Sequence, residues 1–294
     1  MKAGIIVPQG WTGEFAGWEP RAAWERSVAV ARQAEQLGFE SVWAFDHFHT
    51  TPRPTDELTF ESFTLLTALS QRTERVRLGQ IVLCAGYRNP ALVAKMVSTL
   101  DVLSGGRVEL GIGAGWKRDE WEAYGYGFPA TRDRLDGLHD ALEVITRMLE
   151  PGRAAYRGEH AEVRDAINEP KGVQQPRPPI MVGGNGRERT WRLAARYADE
   201  LNLDAMAPDD LQEALEVIGS RCDEIGRDPA SLRVSLHVWW QQHPAAGTAR
   251  VELLQQIASL GIARVMTLVR DSVESDEALQ SFAADCRTAG VELA

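Results

Sequence analysis

Short runs of β-branched and apolar residues alternate with longer stretches of helical period along the whole chain, and this alternation leaves few folds open. Strands joined through helices run parallel, because the crossover returns the chain to the sheet in the same direction. Eight strands are expected: Ala3–Val7, Ser41–Phe45, Arg75–Leu83, Arg107–Ile112, Ile180–Val182, Asp199–Leu203, Leu232–Trp239 and Arg264–Val269. Eight strands with eight helices close naturally as an α/β fold of the (β/α)8 TIM barrel type. A doubly wound open sheet is the alternative.

Boundary residues support the same division. Trp24, Val28, Ala31 and Ala34 recur at three and four residues, and Gly38 ends that helix. Asn89 is a good N-cap with Pro90 at the first helical position, so Ala91–Ser104 reads as a helix stopped by Gly105-Gly106. Further helices are expected at Asp133–Leu149, Arg187–Tyr197, Leu211–Ile225, Ala249–Leu260 and Asp276–Thr288. The proline-rich segment Pro151–Pro179 shows little periodicity, and it reads as an insertion before strand five or as a lid. An internal echo supports repeated βα units: residues 34–39 and 257–262 are each helix, glycine stop, strand. No Pro/Gly/Ser-rich linker divides the 294 residues, so 1–294 reads as one barrel domain.

Composition removes several function classes. A net charge of −10 disfavours nucleic acid and anionic lipid as partners, since both need clustered lysine and arginine. Three widely spaced cysteines with no CxxC pair indicate neither a disulfide framework nor a zinc site. Ala3–Val7 is too short for a signal peptide, and no apolar run approaches the ~20 residues of a membrane span. A cytoplasmic protein acting on a small molecule is the expectation.

On a barrel, chemistry gathers at the carboxyl ends of the strands. Asp46-His47-Phe48-His49 follows strand two and puts a carboxylate and an imidazole at the mouth, where histidine exchanges protons near neutral pH. A loop of hydrogen-bonded polar residues is the plainer possibility. His139, His160, His237 and His243 form no metal-binding spacing, and no metal is expected, although His237 alternates so that it could point inward. Gly111-Ile112-Gly113-Ala114-Gly115-Trp116 closes strand four with small residues, leaving a slot for a planar ring or simply a sharp turn. Gly183-Gly184-Asn185-Gly186 follows strand five and opens a helix carrying Arg187, Arg189 and Arg192. Such a loop suits a phosphate, or is a tight βα turn using glycine for shape. Several of the nine tryptophans, Trp11, Trp116 and Trp239 among them, sit at strand ends and suggest an apolar pocket. Serine and cysteine nucleophiles lack context: there is no GxSxG, and Cys84 has no paired base.

These residues, in this order, resemble the luciferase-like oxidoreductases, the flavin- and deazaflavin-dependent barrels related to bacterial luciferase. The resemblance runs over nearly the whole length and is carried by Val42–Phe48, Leu78–Val82, Tyr87-Arg88-Asn89-Pro90, Thr99–Trp116, Pro178–Gly184 and Ala195–Asp199. The Asp-His-Phe and Gly-Ala-Gly-Trp tips look most like the branch using coenzyme F-420, a hydride-carrying 5-deazaflavin. The resemblance implies that Asp46 and His47 lie near the ring as catalytic residues, with His47 the proton donor or acceptor. It implies that Gln80, Ile81 and Val82 form a strand tip with a non-prolyl cis peptide against the ring. It also implies that Gly115, Trp116, Gly183, Gly184, Asn185 and Gly186 bind the ribityl chain and phosphate. Two departures stand out against the sugar-phosphate dehydrogenase branch. Thr51 stands where that branch has a tryptophan, and Trp116 falls where it places an acid, so a more apolar substrate is expected.

The resulting expectation is an oxidoreductase moving a hydride between coenzyme F-420 and a small organic substrate. An FMN-dependent monooxygenase on the same fold and a non-catalytic flavin- or deazaflavin-binding barrel are the alternatives. A homodimer is implied by the resemblance.

Overall fold

Parallel strands alternate in which face each side chain meets, and here one face turns toward a barrel axis and the other toward a jacket of helices. The computed structural model describes residues 1–242 and 244–293. In chain order its strands are β1 (Lys2–Ile6), β2 (Ser41–Ala44), β3 (Arg77–Gln80), β4 (Leu83–Cys84), β5 (Val108–Gly113), β6 (Ala154–Arg157), β7 (Glu162–Ala166), β8 (Ile180–Gly183), β9 (Glu200–Asp204), β10 (Arg233–His237) and β11 (Arg264–Thr267). The helices are α1 (Pro20–Leu37), α2 (Ser62–Ser70), α3 (Pro90–Ser104), α4 (Arg118–Ala123), α5 (Thr131–Leu149), α6 (Thr190–Tyr197), α7 (Pro208–Asp223), α8 (Thr248–Ser259) and α9 (Asp276–Thr288).

All strands but β6 and β7 belong to one parallel sheet, in the order β3-β2-β1-β11-β10-β9-β8-β5, and a β3–β5 pairing closes it into an eight-staved barrel. Gly4 pairs with Ser41 on one side and Met266 on the other, and Leu78 pairs with Val108 across the closure. The open-sheet alternative is thereby excluded. The third stave is interrupted: β3 ends at Gln80, the Ile81–Val82 peptide is cis, and β4 resumes the pairing with β5. A continuous strand over Arg75–Leu83 was expected, so this is a correction.

Pro151–Pro179 is likewise not an irregular loop. β6 and β7 form an antiparallel hairpin within it. The rest is pinned to the jacket: Asn168 Nδ2 donates to Ser98 Oγ at 2.8 Å, and the backbone amides of Val173 and Gln174 donate to Asp101. Alternation at β6 and β7 places polar residues on an exposed hairpin, and this signal was obscured by the flanking prolines. Two helices, α2 and α4, were not located from the sequence. Ser62–Ser70 is apolar on most of its faces and short, so it carries no stripe to read.

The jacket core fills with the outward set of strand residues, such as Ile5, Val42, Leu78, Leu110 and Leu201, against the helices. The inward set is different. At the amino-terminal end of the barrel Arg264 donates to Glu109 and Glu200 at 2.7 Å each, Arg77 also reaches Glu109, and the Arg264 guanidinium lies 4.8 Å over the Trp43 ring. Trp43 is fully buried and fits because Gly4 and Gly79 beside it lack side chains. A Cβ at Gly79 would stand 2.4 Å from the Trp43 ring and 2.8 Å from the Glu109 carbonyl oxygen. Gly79→Ala is therefore expected to overpack the floor and cost about 1–3 kcal/mol, read as a lower urea midpoint. An unchanged midpoint would show that the floor can relax.

Candidate active site at the carboxyl ends of the strands

The mouth of the barrel holds a cavity of about 370 Å³. Nine of the sequence-predicted residues line it: Asp46, His47, Ile81, Val82, Gly115, Trp116, Gly183, Gly184 and Gly186. Gln80 and Asn185 do not. Gln80 lies between Gly79 and Ile81, which face the barrel axis, so alternation turns it toward the helices, where it is fully buried and its carboxamide has no hydrogen-bond partner. Asn185 exchanges hydrogen bonds with the backbone of Asp204 and serves to tie the β8 tip to the β9 tip.

His47 is held on two sides. Its ring stacks on Trp11, with centroids 4.0 Å apart and planes at 7°, and Nδ1 lies 2.7 Å from Glu120 Oε2. Glu120 is wholly buried. Its Oε1 accepts from the Phe48 amide at 3.0 Å, and the Tyr87 hydroxyl donates to Oε2 at 3.2 Å. Burial alone would raise the Glu120 pKa, but the hydrogen bond and charge of His47 and the Phe48 amide outweigh it and hold the carboxyl below its ordinary value. An ionised carboxylate only accepts, so the shared proton is assigned to Nδ1 and Nε2 is the nitrogen left to exchange one.

Glu120 is a functional residue that the sequence does not single out. Trp116 occupies the position where the resemblance places an acid, yet the fold supplies the carboxylate from α4, four residues further on. The signal was the run Lys117-Arg118-Asp119-Glu120 directly after the strand-four glycines. Arg88 was missed in the same way, as a motif residue with no assigned role.

Asp46 lies beside His47 but is occupied. Its two oxygens accept from both Arg88 terminal nitrogens at 2.8 and 2.9 Å, from Ser62 Oγ at 2.8 Å and from the Cys84 amide at 2.9 Å. Arg88 also bonds Glu61 at 2.6 Å. This bidentate pair joins the β2 tip to the end of the third stave. Cys84 is no nucleophile at neutral pH, because burial pushes its thiol up to about 12.

Glycines on the far side of the mouth make room for Val82. A Cβ on Gly113 or Gly183 would stand 2.8 or 2.7 Å from a Val82 methyl, so glycine at both positions lets the 81–82 turn sit between β5 and β8. The arginines after the Gly183 loop are directed elsewhere: Arg187 pairs with Glu213, Arg189 with Asp136, and Arg192 with Glu188 and Glu224. The cations on the cavity wall are instead Lys117 and Arg134. Arg134 donates to the Gly115 carbonyl at 3.1 Å, and Lys117 bonds Asp119 at 2.7 Å.

Trp116 is 63% exposed and meets the His47 ring edge-on at 5.8 Å. His237 does point inward and lines the cavity, while His243 lies outside the described residues. Among the described residues no three His, Cys, Asp or Glu side chains gather as a metal site, and no helix is long and apolar enough to cross a membrane.

The chain is 33% identical over 230 residues to an F-420-dependent glucose-6-phosphate dehydrogenase of Kineococcus radiotolerans, a match covering 71% of this chain and 66% of that protein. It is 32% identical over 209 residues to an F-420-dependent hydroxymycolic acid dehydrogenase of Mycobacterium tuberculosis, covering 71% and 56%. Among solved structures, an F-420-dependent secondary alcohol dehydrogenase in complex with an F-420–acetone adduct superposes with a TM-score of 0.78 at 20% identity, covering 95% of this chain and 98% of that one. The model of the luciferase-like monooxygenase family matches residues 1–289, and the chain belongs to that family.

Proposed function

We propose that this chain is an oxidoreductase that moves a hydride between coenzyme F-420 and a small organic substrate, with His47 handling the accompanying proton. The observation that carries this reading is the His47–Glu120 pair at the rim of an apolar cavity, with Nδ1 committed at 2.7 Å and Nε2 left for exchange. A buried partner for one nitrogen fixes the ring's tautomer and orientation, as a general acid–base residue requires. The dehydrogenase relatives named above support the choice of cofactor.

The residues present fit a phosphorylated, planar cofactor. Gly113 and Gly183 line the cavity beside Ile81 and Val82, and glycine at both positions lets Val82 pack between β5 and β8, so this side of the cavity is a smooth apolar wall against which a planar ring can lie. Gly184 and Gly186 precede α6 and Thr190 opens it, and all three line the same cavity as Lys117 and Arg134, a donor set suited to the phosphate. Gly115 and Trp116 would flank the ribityl chain. When bound, the 5-deazaflavin supplies two-electron hydride chemistry, and the protein supplies orientation and proton management. Asp46, already engaged by four donors, anchors the loop that carries His47. Trp11 excludes water from one face of the imidazole. The reading also takes the protein to be a homodimer, on family resemblance.

Parallel fluorescence titrations with F-420 and FMN test the cofactor. F-420 is expected to bind at least tenfold more tightly, a difference of about 1.4 kcal/mol. Preference for FMN would overturn the assignment in favour of the monooxygenase alternative.

A further inference from the structure

Three steps round the barrel from His47, a second imidazole is clamped by a carboxylate. His237 closes β10 with its side chain 4% exposed, and its Nδ1 lies 2.9 Å from Asp204 Oδ1 at the end of β9. Trp239 Nε1 donates to the same oxygen at 2.9 Å. Asp204 can only accept, so Nδ1 carries the proton and Nε2 presents a lone pair. That Nε2 is buried and has no hydrogen-bond partner. Buried acceptors are rarely left in this state unless a ligand or water meets them.

The two imidazoles are joined by one aromatic wall. His237 and Trp239 centroids are 4.5 Å apart, Trp239 and Trp11 5.9 Å, and Trp11 and His47 4.0 Å, and all four rings line the same cavity. Val82, Gly113 and Gly183, on the third, fourth and fifth staves, line the other half of the same cavity, the half that the reading above gives to the cofactor. The wall through Trp11, Trp239 and His237 is therefore left for the substrate.

We propose that His237, oriented by Asp204 and Trp239, is a specificity-determining residue whose Nε2 accepts a hydrogen bond from a hydroxyl on the substrate. This rests on the dehydrogenase reading above and narrows it. The substrate is then an apolar molecule bearing a hydroxyl that meets the tryptophan wall. Among the described side chains that line the cavity, two polar atoms are buried and unpaired: this nitrogen, an acceptor, and Trp11 Nε1, a donor that would suit the same oxygen.

Long-range proton–nitrogen NMR on the full chain tests this directly, with cyclohexanol as the probe and methylcyclohexane as its hydroxyl-free counterpart. The protein is loaded with reduced F-420 so that the alcohol cannot be oxidised. Cyclohexanol is expected to shift the His237 Nε2 resonance and leave Nδ1 in place, and methylcyclohexane is expected to move neither. His237→Phe is expected to weaken cyclohexanol binding about tenfold, the worth of one net hydrogen bond, with F-420 affinity held within about threefold. The proposal falls if cyclohexanol leaves Nε2 unmoved, or if F-420 alone moves it, since the nitrogen would then belong to the cofactor. If F-420 fails to bind while cyclohexanol still shifts Nε2, the cofactor assignment falls and the hydroxyl site stands. The wild-type spectrum carries the decisive shift, so a variant that failed to fold would leave the test intact.

Discussion

Arg264→Ala is expected to destabilise the protein by about 3–5 kcal/mol, or to prevent folding, because it takes the shared cation from two buried carboxylates and leaves Glu109 only Arg77 and Glu200 only Arg233. Arg264, Glu109 and Glu200 are each about 2% exposed, and the guanidinium bonds both acids at 2.7 Å. The same group reaches Glu40 at 3.1 Å and packs over Trp43, so no water replaces it without breaking the barrel floor. Urea unfolding measures the loss. A triple variant, Arg264→Met with Glu109→Gln and Glu200→Gln, is expected to recover part of it, since it removes the two buried negative charges that the loss of Arg264 leaves undercompensated. Full stability in Arg264→Ala alone would show that the floor is hydrated. The acid limb has a defined sign. Burial raises the Glu109 pKa, but Arg264 and Arg77 outweigh it and leave the carboxyl below its ordinary value. Its contribution is complete above the unfolded carboxylate pKa and is lost as pH falls through the lower folded one.

The second large effect falls on turnover. His47→Ala is expected to cut kcat by about 10²–10⁴-fold, the usual worth of a positioned proton-exchanging side chain, with F-420 affinity little changed. Glu120→Gln keeps the shape but loses the charge that fixes the His47 tautomer. It is expected to cost most of the same factor and to move the pH–rate profile, which a purely structural change would leave in place. Unchanged turnover in His47→Ala with intact cofactor binding would remove His47 from the mechanism. Stability supplies an independent check on Glu120. Because its folded pKa is lowered, the advantage of wild type over Glu120→Gln is present above the ordinary carboxylate value of 4.5 and shrinks as pH falls below it.

The barrel was legible because its signals are local. Asn89 and Pro90 start α3 within three residues, with Asn89 Oδ1 accepting from Ala91 and Leu92, and the apolar runs of β1, β2 and β5 are continuous because both faces are buried. The signals failed where the chain departs from a period. A strand broken by a cis peptide after Gln80 still reads as one apolar run. A short helix apolar all round, such as α2, has no stripe. A hairpin between prolines, such as β6–β7, looks like loop.

From its residues alone the chain determined the closed βα repeat and the strand tips at which Asp46, His47, Gly115 and Gly183 would gather, since periodicity and caps depend on neighbours a few positions away. Only the tertiary structure decided which of those side chains are at liberty. It bound Asp46 to Arg88, turned Gln80 and Asn185 out of the cavity, spent the arginines after Gly186 on surface carboxylates, and brought Glu120 from a separate helix to His47, 73 positions away in sequence. The reason is physical: a buried charge must find its partner in space, and no spacing along one strand or helix encodes the pairing of residues contributed by different staves.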